Sequence, residues 1–318
     1  MDLVAIVGAT GVIGKSIAAA LQKAGRPYVA IARDKVALER DFGSDSNAQL
    51  RTWNTGDPAS VRAAFEGVDA AVYCVGVDYT QFALHPKLMR ATLEGAGAAG
   101  VKRILLVGTV YPYGLPQTSP VREDHPRNPN TFKGAMRKEQ EDLLLDAHAR
   151  GEIQGAVLRL PDFYGPGVTK SYAAALFDAA EKGGSAQMIA PIDKPHEYVF
   201  VPDAGPIVLR LLDEPRAFGR VWHYAGPGAI TQREFAAKVF AHAGRPVKIS
   251  AVPLWTLKFL GAFNPMMREV AEMQYLFSDP ILLDDGALRE LLGDLPKTSY
   301  DDGIALTLRD TARLDRNE

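Results

Sequence analysis

Leu3-Val4-Ala5-Ile6-Val7-Gly8-Ala9-Thr10-Gly11-Val12-Ile13-Gly14 opens the chain with an apolar run, a glycine-rich loop and the first turn of an amphipathic stretch reaching Ala24. A buried strand, a loop and a helix in that order aim backbone N–H groups and the positive end of a helix at one point, where a pyrophosphate is held. Gly8 permits the tight turn, Gly11 clears space for the phosphate, and Gly14 lets the helix close on the strand. Gly8, Thr10, Gly11, Val12, Ile13 and Gly14 are therefore candidate contacts of a dinucleotide. A ligand-free βα turn is the bland alternative.

The same alternation continues outward. Tyr28–Ala32, Leu50–Trp53, Ala70–Val75, Arg103–Val107 and Ala156–Leu160 are short apolar runs of strand length. Ala59–Phe65, Pro86–Ala99 and Ala135–His148 are amphipathic stretches between them. Strand and helix in alternation predict an α/β fold, a doubly wound Rossmann parallel sheet. Past Leu160 come loops rich in Gly and Pro, helices at Tyr172–Lys182 and Asp203–Asp213, strand-like Tyr198–Val201 and Val221–Tyr224, and a mainly helical end from Thr231. The two late strands read as returns to the sheet. The expected organisation is a Rossmann domain of 1–160 and 196–225 with a smaller, mainly helical, discontinuous substrate domain of 161–195 and 226–318.

The end of the second strand faces the adenosine ribose in such folds, and an acidic residue there accepts from the 2′-hydroxyl. Here Ile31-Ala32-Arg33-Asp34-Lys35 offers Arg33, a partner for a 2′-phosphate. NADPH is expected over NADH, with Asp34 the alternative partner of a ribose hydroxyl. Asp57, after the third strand, is read either as an acceptor for the adenine amino group or as the N-cap of a helix beginning at Pro58.

Composition excludes other classes. In 318 residues, 47% are hydrophobic and 23% charged, as in a soluble globular enzyme. A net charge of -2 leaves no basic surplus for nucleic acid. One cysteine, Cys74, rules out an internal disulfide, and its apolar setting predicts an inert thiol. The six histidines lie apart, so no metal is expected. No apolar run spans a bilayer and the first strand starts beside Met1, so a cytoplasmic protein with no membrane partner is expected.

Gly8-x-x-Gly11-x-x-Gly14, Gly56-Asp57, Asp69–Gly76, Val107-Gly108-Thr109-Val110-Tyr111-Pro112-Tyr113-Gly114, Leu158–Gly167, Tyr198–Asp203 and Leu292–Pro296 together resemble the extended, epimerase/dehydratase-like short-chain dehydrogenase/reductase superfamily. The likeness covers nearly the whole chain. It implies that Val75, Gly76 and Pro161 lie against the cofactor and that Thr109 is the hydroxyl that bonds a substrate carbonyl or alcohol. It also implies a Tyr-x-x-x-Lys pair, in which the tyrosine moves the proton while the lysine tunes it and holds the nicotinamide ribose.

That pair is missing. Aligned on Glu141, the stretch Asn130–Glu141 places Lys133 at the tyrosine position and Arg137 at the lysine position. Arg137 can hold ribose hydroxyls but is a poor proton carrier, whereas Lys133 is suited to proton transfer if its surroundings lower its affinity for the proton. Lys-x-x-x-Arg also resembles the isoflavone reductase-like group, in which a lysine does proton work. Two solvent-facing cations are the alternative. Tyr79, Tyr111 and Tyr113 are candidate substrate contacts or displaced proton donors.

From Val252 to Asp279, aromatic and Met residues lie on two expected helices broken at Asn264-Pro265. They read foremost as core, otherwise as the wall of an apolar pocket or a homodimer face. The expected activity is NADPH-dependent hydride transfer to a carbonyl or activated double bond of a moderately apolar small molecule. A non-catalytic NADP-binding sensor or scaffold and a sugar-nucleotide epimerase or dehydratase are the alternatives.

Overall fold

A computed structural model describes residues 2–169 and 171–314. The strands are β1 (Val4–Val7), β2 (Tyr28–Ala32), β3 (Ala48–Thr52), β4 (Ala70–Tyr73), β5 (Arg103–Thr109), β6 (Gln154–Leu160), β7 (Asp162–Tyr164), β8 (Ala186–Ile189), β9 (Pro195–His196), β10 (Tyr198–Phe200), β11 (Val221–His223), β12 (Ile230–Thr231) and β13 (Ile249–Val252). The first helices are α1 (Val12–Lys23), α2 (Lys35–Phe42), α3 (Pro58–Ala64), α4 (Leu84–Ala98), α5 (Phe132–Ala149), α6 (Ala174–Lys182) and α7 (Val201–Leu212). The chain ends with α8 (Gln232–His242), α9 (Leu254–Gly261), α10 (Pro265–Glu272), α11 (Tyr275–Ser278), α12 (Gly286–Leu292) and α13 (Tyr300–Leu314).

Seven strands form one parallel sheet in the order β11-β6-β5-β4-β1-β2-β3. It is an α/β Rossmann-type sheet with helices on both faces, and its central strands are apolar throughout because neither face meets water. β1 buries all four residues, and α1 returns Ile13, Ile17, Ala18 and Leu21 to one side of the sheet. The strand order reverses between β1 and β4, which opens a crevice at their carboxyl ends. α7 meets α1 without a side chain between them: a Cβ on Gly205 would lie 2.2 Å from the Ser16 carbonyl oxygen. Ser16 Oγ donates to Val201 O at 2.8 Å and accepts from Gly205 N at 3.0 Å.

Two expectations change. Tyr198–Val201 does not rejoin the sheet: β10 pairs only with β7, in a separate two-stranded ribbon, and Val201 already starts α7. Pro202 at the start of that helix explains the early end of the strand, since proline suits a first helical turn and cannot donate to a ladder. The Val252–Asp279 stretch is not uniformly core either. Leu257, Met273, Leu276 and Phe277 are buried, whereas Trp255, Phe259, Phe263 and Met266 are exposed. α9 and α10 bend back on each other, and only one side of the pair has protein to pack against.

A second apolar cluster joins Phe177, Tyr198, Phe235, Phe240 and Ile304 away from the main sheet. One part of the late chain serves the first core instead, where α12 contributes Leu288.

The deepest charges tie α5 to the sheet. Arg159 on β6 is fully buried and donates through two nitrogens to Glu141 on α5, with Nε 3.0 Å from Oε1. Gly108 on β5 makes room for the pair, since a Cβ there would lie 3.2 Å from Glu141 Oε1. Burial works against the Arg159 charge, yet Glu141 and Tyr113 raise its pKa overall.

Glu141→Gln leaves Arg159 charged and uncompensated, and urea denaturation is expected to show a loss of about 3–5 kcal/mol. Burial pushes the Glu197 carboxyl up to about 7, although Leu283 N donates to it at 3.2 Å. A folded pKa above the unfolded one favours the protonated form, so its stabilising effect is full below about pH 4.5 and fades as pH rises to about 7. Thermal unfolding from pH 5 to 8 should therefore decline less steeply in Glu197→Gln, the difference reaching roughly 2–3 kcal/mol.

Candidate active site

The glycine loop sits at the crevice. Gly8 has φ +93, and a Cβ on it would lie 3.0 Å from the Val75 backbone, so the loop can pass the end of β4 only as glycine. A Cβ on Gly14 would lie 2.5 Å from both Gly8 O and Ala9 O, which fixes how closely α1 approaches. Gly11, the residue before α1, offers no side-chain cap, and the first turn carries no acidic residue. Its N–H donors are therefore free for an anion. These features fit a dinucleotide: the loop would hold the pyrophosphate, and the nicotinamide supplies hydride chemistry when bound.

Arg33 is exposed beyond β2 and has no ion-pair partner among the described residues. Asp34 is occupied otherwise, capping α2 by accepting from Ala37 N at 3.1 Å. Asp57 likewise caps α3, accepting from Ala59 N at 3.0 Å. Cys74 Sγ donates to Val7 O at 3.3 Å, and burial pushes the thiol up to about 12. That is an inert thiol. Among the described residues no group of three His, Cys, Asp or Glu side chains converges as metal ligands.

Thr109 ends β5 with its Oγ1 accepting from Tyr111 N at 3.4 Å. Lys133 and Arg137 lie one turn apart in α5, whose N-cap Thr131 accepts from Gly134 N at 3.0 Å. Neither cation faces solvent freely. Lys133 is fully buried, and its Nζ is ion-paired to both Glu269 and Glu272 of α10. Its backbone N–H also donates to Glu272 at 3.1 Å. Lys133 and Arg137 both lie over the Phe82 ring, at 5.7 Å. Arg137 donates to Gln140 Oε1 at 2.9 Å, but its buried Nε has no partner. An orphaned guanidinium N–H at this place fits a ribose hydroxyl.

Tyr79 and Tyr111 come together, with hydroxyls 3.0 Å apart, and Tyr172 joins them at 2.7 Å from Tyr79. Burial raises the pKa of all three well above the ordinary value, so each remains a protonated donor. Lys133 Nζ lies 5.5 Å from the centre of the Tyr79 ring. Beside them His196 Nε2 sits 2.8 Å from Asp162 Oδ2, and the imidazole stacks on Phe277. Pro161 is buried next to Asp162.

Tyr113 does not join this group. Its hydroxyl is bonded to His223 Nε2 and lies 3.3 Å from Arg122 O, while Arg159 covers its ring at 4.3 Å. Its place is in the core beneath the site, because Tyr111–Tyr113 is a single 3-10 turn on which side chains two residues apart diverge by about 120°. Sequence reasoning missed Glu269, Glu272, Tyr172 and Asp162. Glu269 and Glu272 lie three residues apart on α10, and nothing local linked them to Lys133.

Residues 4–225 match the family model described as "NAD dependent epimerase/dehydratase family". The chain belongs to that family. It is an enzyme of the NAD(P)-dependent oxidoreductase type found in the extended short-chain dehydrogenase/reductase superfamily. It is 28% identical over 265 residues to a dTDP-6-deoxy-L-talose 4-dehydrogenase (NAD(P)(+)) of Kitasatospora kifunensis, covering 79% of this chain and 82% of that protein. It is 25% identical to an NAD(P)H azoreductase of Xenophilus azovorans, covering 79% and 78%. The fold is shared with a dTDP-glucose 4,6-dehydratase of Streptomyces venezuelae solved with NAD bound, at a TM-score of 0.82, 18% identity and coverage of 99% and 98%.

Proposed function

We propose that the chain is an NADPH-dependent reductase that adds hydride to a carbonyl or activated double bond of a moderately apolar small molecule. The observation that carries this reading is the chain of protonated tyrosine hydroxyls, Tyr111, Tyr79 and Tyr172, with the buried Lys133, read at the family's tyrosine position, against the Tyr79 ring. The unpaired Arg33 supports the choice of NADPH, because Asp34 is already committed to its helix.

In this reading Gly8, Thr10, Gly11, Val12, Ile13 and Gly14 hold the pyrophosphate, Arg33 the 2′-phosphate, and Val75, Gly76 and Pro161 the flanks of the cofactor. Arg137 anchors the nicotinamide ribose through its open Nε. Thr109 orients the substrate oxygen. NADPH bound there would supply the hydride, and the proton for the substrate oxygen would come from Lys133 or from Tyr111, with Tyr79 and Tyr172 behind as replacement donors. Glu269 and Glu272 keep Lys133 in place.

A second reading, oxidation or epimerisation at a sugar nucleotide, draws on the likeness to the talose dehydrogenase. Screening carbonyls and enones beside dTDP- and UDP-sugars separates the two.

Lys133→Met is expected to lower kcat for NADPH-dependent reduction about 10²–10⁴-fold, with NADPH affinity retained in fluorescence titration. Undiminished turnover would remove Lys133 from the proton path. Arg33→Ala is expected to weaken NADPH by roughly 10-fold or more while leaving NADH unchanged, as for the loss of a charge-assisted contact.

A further inference from the structure

α9 and α10 form a tight hairpin whose outer face is apolar. A Cβ on Gly261 would lie 3.0 Å from Arg268 N and Cα, so the two helices touch backbone to backbone there. Asn264 caps α10 by accepting from Met266 N at 2.9 Å, and Pro265 occupies its first turn. The fold of the hairpin is therefore locally fixed.

What it presents outward is unusual for a surface. Trp255 and Phe259 fall at i and i+4 on α9, Phe263 follows in the turn after it, and the three are 71%, 64% and 80% exposed. Leu260 and Met266 extend the patch, and the Phe259 and Phe263 rings meet edge to face at 5.8 Å. A contiguous exposed group of this kind marks an interaction surface.

Its charge selects the partner. From Ala251 to Arg268 the sequence contains Lys258 and Arg268 and no carboxylate, in a chain whose net charge is -2. Both cations are exposed, and neither has an ion pair among the described residues. The acids of α10, Glu269 and Glu272, are turned away to Lys133. A second copy docked across a two-fold axis would bring these cations towards their own images with no carboxylate in the patch to meet them. An anionic lipid surface meets both demands at once, taking the aromatic stripe into the headgroup boundary and the cations against lipid phosphates.

We propose that the α9–α10 hairpin docks this protein on anionic lipid bilayers. Among the described helices none is long and apolar enough to cross a membrane, and docking asks for no such helix. The inference is independent of the reaction proposed above.

The test uses the full chain with vesicles of phosphatidylcholine alone or mixed with phosphatidylglycerol, read by co-sedimentation and by tryptophan emission. Trp53 and Trp222 are buried, so a blue shift on adding vesicles reports Trp255. Binding and a blue shift are expected on phosphatidylglycerol vesicles, with both reduced by salt. Lys258→Gln with Arg268→Gln should weaken binding by about fivefold for each cation removed. Trp255→Ser with Phe259→Ser and Phe263→Ser should abolish it at unchanged circular dichroism. Absence of binding and of any shift on the anionic vesicles overturns the proposal. So does a dimer in lipid-free buffer that the three serines dissociate, since a second copy then covers the face.

Discussion

The buried pair between Arg159 and Glu141 is the contact on which the geometry of the site depends. A guanidinium in the interior is tolerated only with a carboxylate held against it, and Glu141 can reach Arg159 only if α5 lies at one height and one rotation on the sheet. Lys133, Arg137 and Glu141 follow one another at four-residue steps along that helix, so they share a face. Fixing the last of the three fixes the first two. Lys133 and Arg137 are thus placed by an ion pair two turns and one turn further along the helix.

The crevice itself arises from a different constraint, the absence of side chains. Gly8 and Gly14 let β1, α1 and the end of β4 approach more closely than any other residue allows. Gly205 does the same where α7 crosses α1. The glycine-loop side of the main sheet is therefore drawn together by close backbone contacts, and the α5 side by the buried Arg159–Glu141 pair.

That difference decides what was legible in the sequence. The glycine loop, all seven strands of the main sheet and most of the early helices are written in local patterns of apolar residues and turn formers, and Asp57 caps α3 as one of its two readings had it. The alignment of Lys133 on Glu141 located both cations on the correct helix. The partners of those cations were not legible. Glu269 and Glu272 meet Lys133 across more than a hundred residues of chain, and a period of 3.6 says nothing about which distant helix faces which. Tyr111 and Tyr113 were indistinguishable as letters, yet one joins the tyrosine hydroxyls of the site and the other is bound to His223 in the core. β10 looked like a sheet strand because its residues are apolar, but burial by a two-stranded ribbon and by a large sheet leaves the same mark.

Within the proposed reaction, the clamp on Lys133 has a consequence for selectivity. An incoming anionic group finds this ammonium already neutralised by two carboxylates of the same chain, which act as an internal competitor. A carboxylate or phosphate must displace Glu269 or Glu272 to gain the charge, whereas an uncharged carbonyl needs only a shared proton and leaves the pair intact. Discrimination against anions at this point is thus built into the resting state, before any substrate arrives.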